Sequence, residues 1–219
     1  MSIRNFFIVF QALLAVVLMP EGKGPLQAQE DYFSRDYLRY NDFVYRDNIG
    51  NVMIYREGWQ MSPPVVGLKS GQRLILSFDD LDADVKDYRY TIIHCDAMWQ
   101  PSELTKAEYI RGFYEDEITD YASSYNTLQQ YTNYLLSIPG DYMEYTRSGN
   151  YILKVYEEED LDSNLVLTRR FMVTDQKVTI SGKVVAPVKV EDRNYRQQVE
   201  FEINSGKLYI PNPYRDLSV

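Results

Sequence analysis

The chain of 219 residues holds one cysteine, Cys95, and one histidine, His94. A lone cysteine forms no internal disulfide, so the fold must be held by its core. Single copies of each also rule out the usual zinc sites built from this chain alone. The two residues are neighbours in a stretch with strand character, and adjacent strand side chains point to opposite faces, which denies them a nucleophile and base pairing. Cys95 shares a face with Thr91 and Ile93 and reads as a small buried hydrophobe with an unreactive thiol. His94 shares the other face with Tyr90 and Ile92 and reads as a hydrogen-bonded structural residue. No serine sits in a glycine-x-serine-x-glycine elbow. Neither Gly182-Lys183 nor Gly206-Lys207 is followed by Ser or Thr, and both lack the upstream glycine of a phosphate loop. The acidic run Glu157, Glu158, Glu159, Asp160 lies at a strand end and reads as a solvated turn. No pattern anchors an enzyme, and no cofactor is expected.

Positive charge is also scarce. The net charge is −9, with Lys and Arg scattered among acids, which repels nucleic acid and anionic lipid. The longest apolar run, Phe6 to Met19, is interrupted only by Gln11. It is shorter than the roughly 20 residues a membrane span needs, and it follows Arg4 and precedes Pro20, Gly22 and Gly24, as in a secretory signal peptide. Ala28 offers a small residue for cleavage before Gln29, although Leu26 fits poorly two residues earlier. Residues 1–28 are therefore expected to be a signal peptide directing export to an oxidising compartment.

What the chain does have is tyrosine, 20 in all, and short runs of period-two alternation. Leu74, Leu76 and Phe78 oppose Arg73, Ser77 and Asp79; Tyr151, Leu153 and Val155 oppose Ile152, Lys154 and Tyr156; Val199, Phe201 and Ile203 oppose Glu200 and Glu202. Each run predicts a half-buried antiparallel strand. Strands are expected near Val52–Tyr55, Arg73–Phe78, Tyr88–Cys95, Glu108–Gly112, Asn133–Ile138, Asn150–Tyr156 and Val166–Val173. About seven strands over this span is the count of an immunoglobulin-like β-sandwich, so the fold class is all-β. Tyr151, just after the turn Arg147-Ser-Gly-Asn150, is either the tyrosine corner of such a sandwich or a solvent-facing strand residue. The expected organisation is an extended segment at 29–48 and the sandwich at 49–175. Residues 176–219 are the beginning of a second β-domain, whose three strands, at Val178–Val184, Gln198–Ile203 and Lys207–Ile210, cannot close a sandwich alone. That makes the chain an expected N-terminal piece of a longer protein.

Asp80, Asp82 and Asp84 match the first three positions of a calcium loop, but Val85 replaces the turn glycine and Thr91 stands where the bidentate glutamate belongs. Calcium binding competes here with a simple inter-strand loop of Asx turns.

Several ordered runs resemble a known family. Asp36-Tyr-Leu-Arg-Tyr-Asn-Asp-Phe-Val-Tyr-Arg-Asp47, Tyr55-Arg-Glu-Gly-Trp59 with Ser62-Pro-Pro64, Leu76-Ser-Phe-Asp-Asp-Leu81, Asp84-Val-Lys-Asp-Tyr88, Tyr90-Thr-Ile-Ile-His-Cys-Asp96, Trp99-Gln-Pro-Ser102, Gly149-Asn-Tyr-Ile-Leu-Lys-Val-Tyr156, Leu167-Thr-Arg-Arg-Phe-Met-Val173 and Tyr209-Ile-Pro-Asn-Pro-Tyr214 are similar to the N-terminal domain of the type IX secretion system plug proteins. The resemblance implies a non-enzymatic periplasmic protein associated with the outer membrane. Its implied partner is the large outer-membrane β-barrel translocon, whose periplasmic opening the plug closes at rest. Loop aromatics Trp59, Trp99, Tyr109 and Tyr114 are the candidate contacts, with core or edge packing as the competing role. The rival function is a secreted glycan-binding or adhesive sandwich, which requires an exposed planar aromatic platform.

Overall fold

In a computed structural model, the structure describes residues 37–158, 161–206 and 208–216. The expected signal peptide, and the extended segment up to residue 36, lie outside the described residues.

The alternating runs become strands at the expected places. One sheet runs β2 (Ile49–Arg56), β4 (Leu74–Asp80), β9 (Thr132–Ile138) and β8 (Asp120–Ser123), all antiparallel. The other runs β1 (Phe43–Val44), β12 (Leu165–Thr174), β11 (Gly149–Glu157), β5 (Tyr88–Cys95) and β7 (Asp116–Glu117). Strand β3 (Val65–Gly67) joins β12 in parallel. In immunoglobulin lettering the first sheet is A-B-E-D; in the second, β3 is A′ and β12, β11, β5 and β7 are G, F, C and C′, with β1 added beside G, so the fold is all-β and sandwich-like as expected. A ribbon of β6 (Ile110–Gly112) and β10 (Met143–Tyr145) lies apart from both sheets.

The inward rows of both sheets form one core. Leu74, Leu76, Phe78, Tyr134, Leu136 and Ile138 meet Tyr88, Tyr90, Ile92, Tyr151, Leu153, Val155 and Phe171. Ring packing crosses between the sheets: Phe78, Tyr88 and Tyr134 have mutual centroid distances of 4.8–5.3 Å. A buried tyrosine needs a partner for its hydroxyl. Tyr151 Oη donates to the Arg147 carbonyl at 2.8 Å, closing the tyrosine corner and removing the solvent-facing alternative. Tyr88 Oη donates to Asp80 Oδ2 at 2.9 Å, and Tyr156 Oη to Glu115 Oε2 at 2.9 Å.

Three sequence expectations need correction. Strand β11 is buried on both faces from Tyr151 to Tyr156 and is not half-buried. Its neighbour β12 is strapped by the N-terminal segment: the Arg170 guanidinium donates twice to the Tyr40 carbonyl (2.9 and 2.6 Å), and Thr168 Oγ1 to that of Asn41 (2.7 Å). Glu108 and Tyr109 are helical, not extended. Helix α1 (Lys106–Tyr109) follows a capping box in which the Thr105 N–H donates to Glu108 Oε2 at 2.8 Å. Finally, after residue 175 the described residues contain two strands and not three: β13 (Thr179–Val185) and β14 (Gln198–Asn204) pair only with each other, and Leu208–Ile210 is irregular.

Candidate functional site

The β4–β5 loop holds the three aspartates of the calcium alternative. Asp80 ends β4 on the core face and is fully buried, which pushes its carboxyl upward. The Asp82 N–H, the Lys86 ammonium, the Tyr88 hydroxyl and the Asn48 amide outweigh that and hold it below the usual carboxylate range. The Lys86 Nζ lies 2.9 Å from Asp80 Oδ2, 2.5 Å from Asp82 Oδ2 and 3.5 Å from Asp84 Oδ1. Burial disfavours the ammonium charge, yet the surrounding carboxylates raise its pKa well above the ordinary lysine value. The three carboxylates do converge, but the chain's own lysine stands where a cation would. The lysine offsets one of the three negative charges in a knot that joins Asn48, β4 and β5.

His94 and Cys95 diverge as strand geometry requires. His94 Nδ1 is 2.8 Å from Ser102 Oγ and Nε2 is 3.3 Å from the Ser148 carbonyl. The ring packs on Tyr151 and Tyr109 at 5.0 and 5.7 Å. Its seat depends on Gly149, whose φ is +152° and where a Cβ would lie 2.4 Å from His94 Nε2. Cys95 is buried, and that burial pushes its thiol up to about 11, far from a reactive thiolate.

The four aromatic contact candidates end in four different settings. Tyr109 is 4% exposed and belongs to the core, its hydroxyl turned to the Ile92 carbonyl, so it cannot meet a partner. Trp99 is half-buried at φ +62°, held by the turn around Asp96 with its ring 4.3 Å from the Arg170 guanidinium carbon. Through Arg170 it braces the N-terminal strap. Trp59 is 57% exposed on the turn after β2, with the Arg56 guanidinium over its ring at 4.8 Å. Tyr114 is exposed while its carbonyl accepts from Thr91 Oγ1 at 2.7 Å.

Next to Tyr114 the structure adds a pair the sequence did not single out. Phe113 and Tyr142 are both exposed, with ring centroids 5.8 Å apart and planes tilted by 40°. Gly112 brings them together: its φ is +96°, and a Cβ there would lie 2.0 Å from the Tyr142 carbonyl oxygen, to which the Phe113 N–H donates. The only sequence signal was that glycine at the end of a short strand. Arg73 and Arg111 flank an adjoining cavity of about 420 Å³, and each faces an acid, Asp141 and Glu144.

Residues 49–175 match the family model described as the type 9 secretion system plug protein 1st domain. The chain belongs to the type 9 secretion system plug protein family. The family is named for the type 9 secretion system. The crystal structure of a hypothetical protein from Parabacteroides merdae ATCC 43184 superposes with a TM-score of 0.75 at 32% identity, covering 82% of this chain and 45% of that one. This chain thus spans less than half the length of that solved relative. A Pseudomonas fluorescens alkylpurine DNA glycosylase bound to abasic-site DNA aligns over 57% of this chain and 30% of its own at 14% identity, with a TM-score of 0.31 that carries no argument. No curated protein matches. Among the described residues no helix is long and apolar enough to cross a membrane.

Proposed function

We propose that this chain is the first part of a non-enzymatic periplasmic plug, exported by the signal peptide at residues 1–28, that closes the periplasmic opening of the large outer-membrane β-barrel translocon at rest. The family match over residues 49–175 carries the reading. Physical support comes from a sandwich held by aromatic packing and buried hydrogen bonds, without disulfides, that can seat and release as one body. The non-enzymatic part rests on His94 being held on both ring nitrogens and on the buried thiol of Cys95.

In this reading the contact surface is made by Trp59, Tyr114 and the open side of Trp99, extended by Phe113 and Tyr142. Aromatic side chains beside arginines are the usual anchors of releasable interfaces. The segment at 29–48 straps the sandwich at 49–175, and residues 176–219 open a second β-domain. Affinity capture from gently solubilised envelopes tests the partner. The expected result is recovery of a very large outer-membrane barrel, reduced in a Trp59→Ala/Tyr142→Ala double variant. Capture of the folded protein with no such barrel would overturn the reading.

A further inference from the structure

Five tyrosines lie deepest in the sandwich, Tyr88, Tyr90, Tyr134, Tyr151 and Tyr156, and four of them have a partner for the hydroxyl. Tyr90 is the exception. Its ring belongs to the core and the residue is 1% exposed, yet its hydroxyl has no hydrogen-bond partner among the described residues. A buried polar atom without a partner carries a desolvation cost, so its place needs a reason. Tyr90 lines a cavity of about 310 Å³, walled by the turn from Asp116 to Asp120 and by the turn from Gly140 to Tyr142. A Cβ at Gly140 would lie 2.5 Å from Tyr90 Oη and 3.8 Å from Asp116 Oδ2, so hydroxyl and carboxylate border one gap. Gly140 needs no positive φ; its lack of a side chain is what keeps the gap open.

The gap is acidic. Asp116 Oδ1 accepts from the Glu117 N–H at 2.9 Å, and Oδ2 is the oxygen near Gly140. Of the four acids in the lining, Glu117 is held by Arg89 at 2.6 Å, and Asp141 faces Arg73 at 3.6 Å, beyond hydrogen-bond distance. Asp116 and Asp120 have no cation within ion-pair distance among the described residues. Burial first, and then the Asp116 and Asp141 carboxylates, raise the pKa of Tyr90, as negative charge near its hydroxyl must. These carboxylates do not gather on one point: among the described residues only Asp80, Asp82 and Asp84 have oxygens all within 4.8 Å of one another. A single small ion finds no cage of three carboxylates in this cavity. A planar guanidinium, with five donors on a fork, reaches separated acceptors at once.

We infer that this cavity is the seat of an arginine side chain from an extended polypeptide segment, its guanidinium donating to Asp116 Oδ2 and Tyr90 Oη, with Asp120 and Asp141 adding negative charge. The rest of the segment follows from continuity. The cavity shares Arg73, Gly140, Asp141 and Tyr142 with the cleft of about 420 Å³ beside the Phe113 and Tyr142 pair. Tyr145 lines that cleft at 4% exposure, and its hydroxyl also lacks a partner among the described residues. A free amino acid fills only the first of these spaces, whereas a polypeptide fills both. The inference goes beyond the plugging role: it names the chemistry of what lies against Phe113 and Tyr142, and it stands whether or not the translocon carries that segment.

NMR titration of the purified protein with a capped pentapeptide, one arginine flanked by alanines, tests it with no translocon present. Amides of residues 116–120 and 140–142 should shift saturably. The same peptide with citrulline, which keeps the shape and loses the charge, should bind at least about 10-fold more weakly, and so should the arginine peptide to Asp116→Asn. The pentapeptide should bind at least about 3-fold more tightly than capped arginine alone. Tyr90→Phe should weaken the peptide about 5-fold without lowering the melting temperature, because the hydroxyl has no partner to lose within the chain. Absence of saturable shifts at these amides would overturn the inference, as would equal binding of the citrulline peptide. A loss of stability in Tyr90→Phe as large as in Tyr151→Phe would place a partner on the hydroxyl already, and would overturn it too. Equal affinity for capped arginine would assign the cavity to a small guanidinium compound, and the same shifts with calcium chloride alone would assign it to a metal ion. Either result removes the polypeptide assignment.

Discussion

Strands β11 and β14 carry the same kind of alternating sequence and meet opposite fates. In β11 every residue from Tyr151 to Tyr156 is buried, with Tyr151, Leu153 and Val155 in the core between the sheets and Ile152, Lys154 and Tyr156 on the other face. In β14 Val199 and Phe201 stand open to solvent. Alternation therefore reports which face is apolar and says nothing about whether the chain itself supplies the cover. The sandwich supplies its own through the second sheet, the Tyr40–Val44 strap and the loop at Glu115. The ribbon has no equivalent among the described residues.

The sharpest way to break this contrast is to attack the sandwich where a buried charge closes it. Asp80→Ala leaves the Lys86 ammonium, the Tyr88 hydroxyl and the Asn48 amide without their acceptor, and should lower urea-unfolding stability by about 3–5 kcal/mol. Gly149→Ala strains a φ of +152° and drives a Cβ into His94, and should cost about 2 kcal/mol. Tyr151→Phe keeps the ring and loses the corner hydrogen bond, for a loss of about 1 kcal/mol by the same measurement. Val199→Thr, on the open ribbon of the 219-residue chain, should change stability by less than about 0.5 kcal/mol. If the ribbon variant proved as costly as Asp80→Ala, the two regions would not differ as described.

Proton dependence sharpens the same contrast. Asp80 titrates below its unfolded value, so its contribution is present above about pH 4 and is lost as pH falls through the lowered folded value. Lys86 titrates above its unfolded value, so its contribution is full below about pH 10 and is lost only as pH rises through the raised folded value. Stability from this knot should be level between those limits and decline in acid, with the decline removed in Asp80→Asn. Denaturant midpoints across pH measure this.

Much of the sandwich was legible because its central strands carry large apolar residues at every second position: β4, β5, β9, β11 and β12 all fall within about two residues of expectation. Five strands escaped notice: β1, β3 and β10 are two or three residues long, too short to show a period, and β7 at Asp116–Glu117 and β8 at Asp120–Ser123 lie at sheet edges where solvent imposes no pattern. The helix at Lys106–Tyr109 left a trace in Thr105-x-x-Glu108, which the apolar residues around it masked. The candidate site was less legible. Trp59 and Tyr114 are exposed, but nothing local distinguishes them from Tyr109, whose burial depends on His94 and Tyr151 arriving from two other strands. The pairing of Phe113 with Tyr142 likewise joins residues that flank two paired strands, just after β6 and just before β10. Lys86 was the cue missed in the acidic loop: a lysine four residues after Asp82 is placed to pair with the cluster from within.

Native-state hydrogen exchange on the 219-residue chain tests most directly whether the sandwich is closed by its own chain while the ribbon is open. Amides of β4, β5, β9, β11 and β12 should exchange only through global unfolding, with protection that tracks the urea-derived stability. Amides of β13 and β14 should exchange orders of magnitude faster, through local opening. Protection of the ribbon equal to that of β11, at all protein concentrations, would contradict the account.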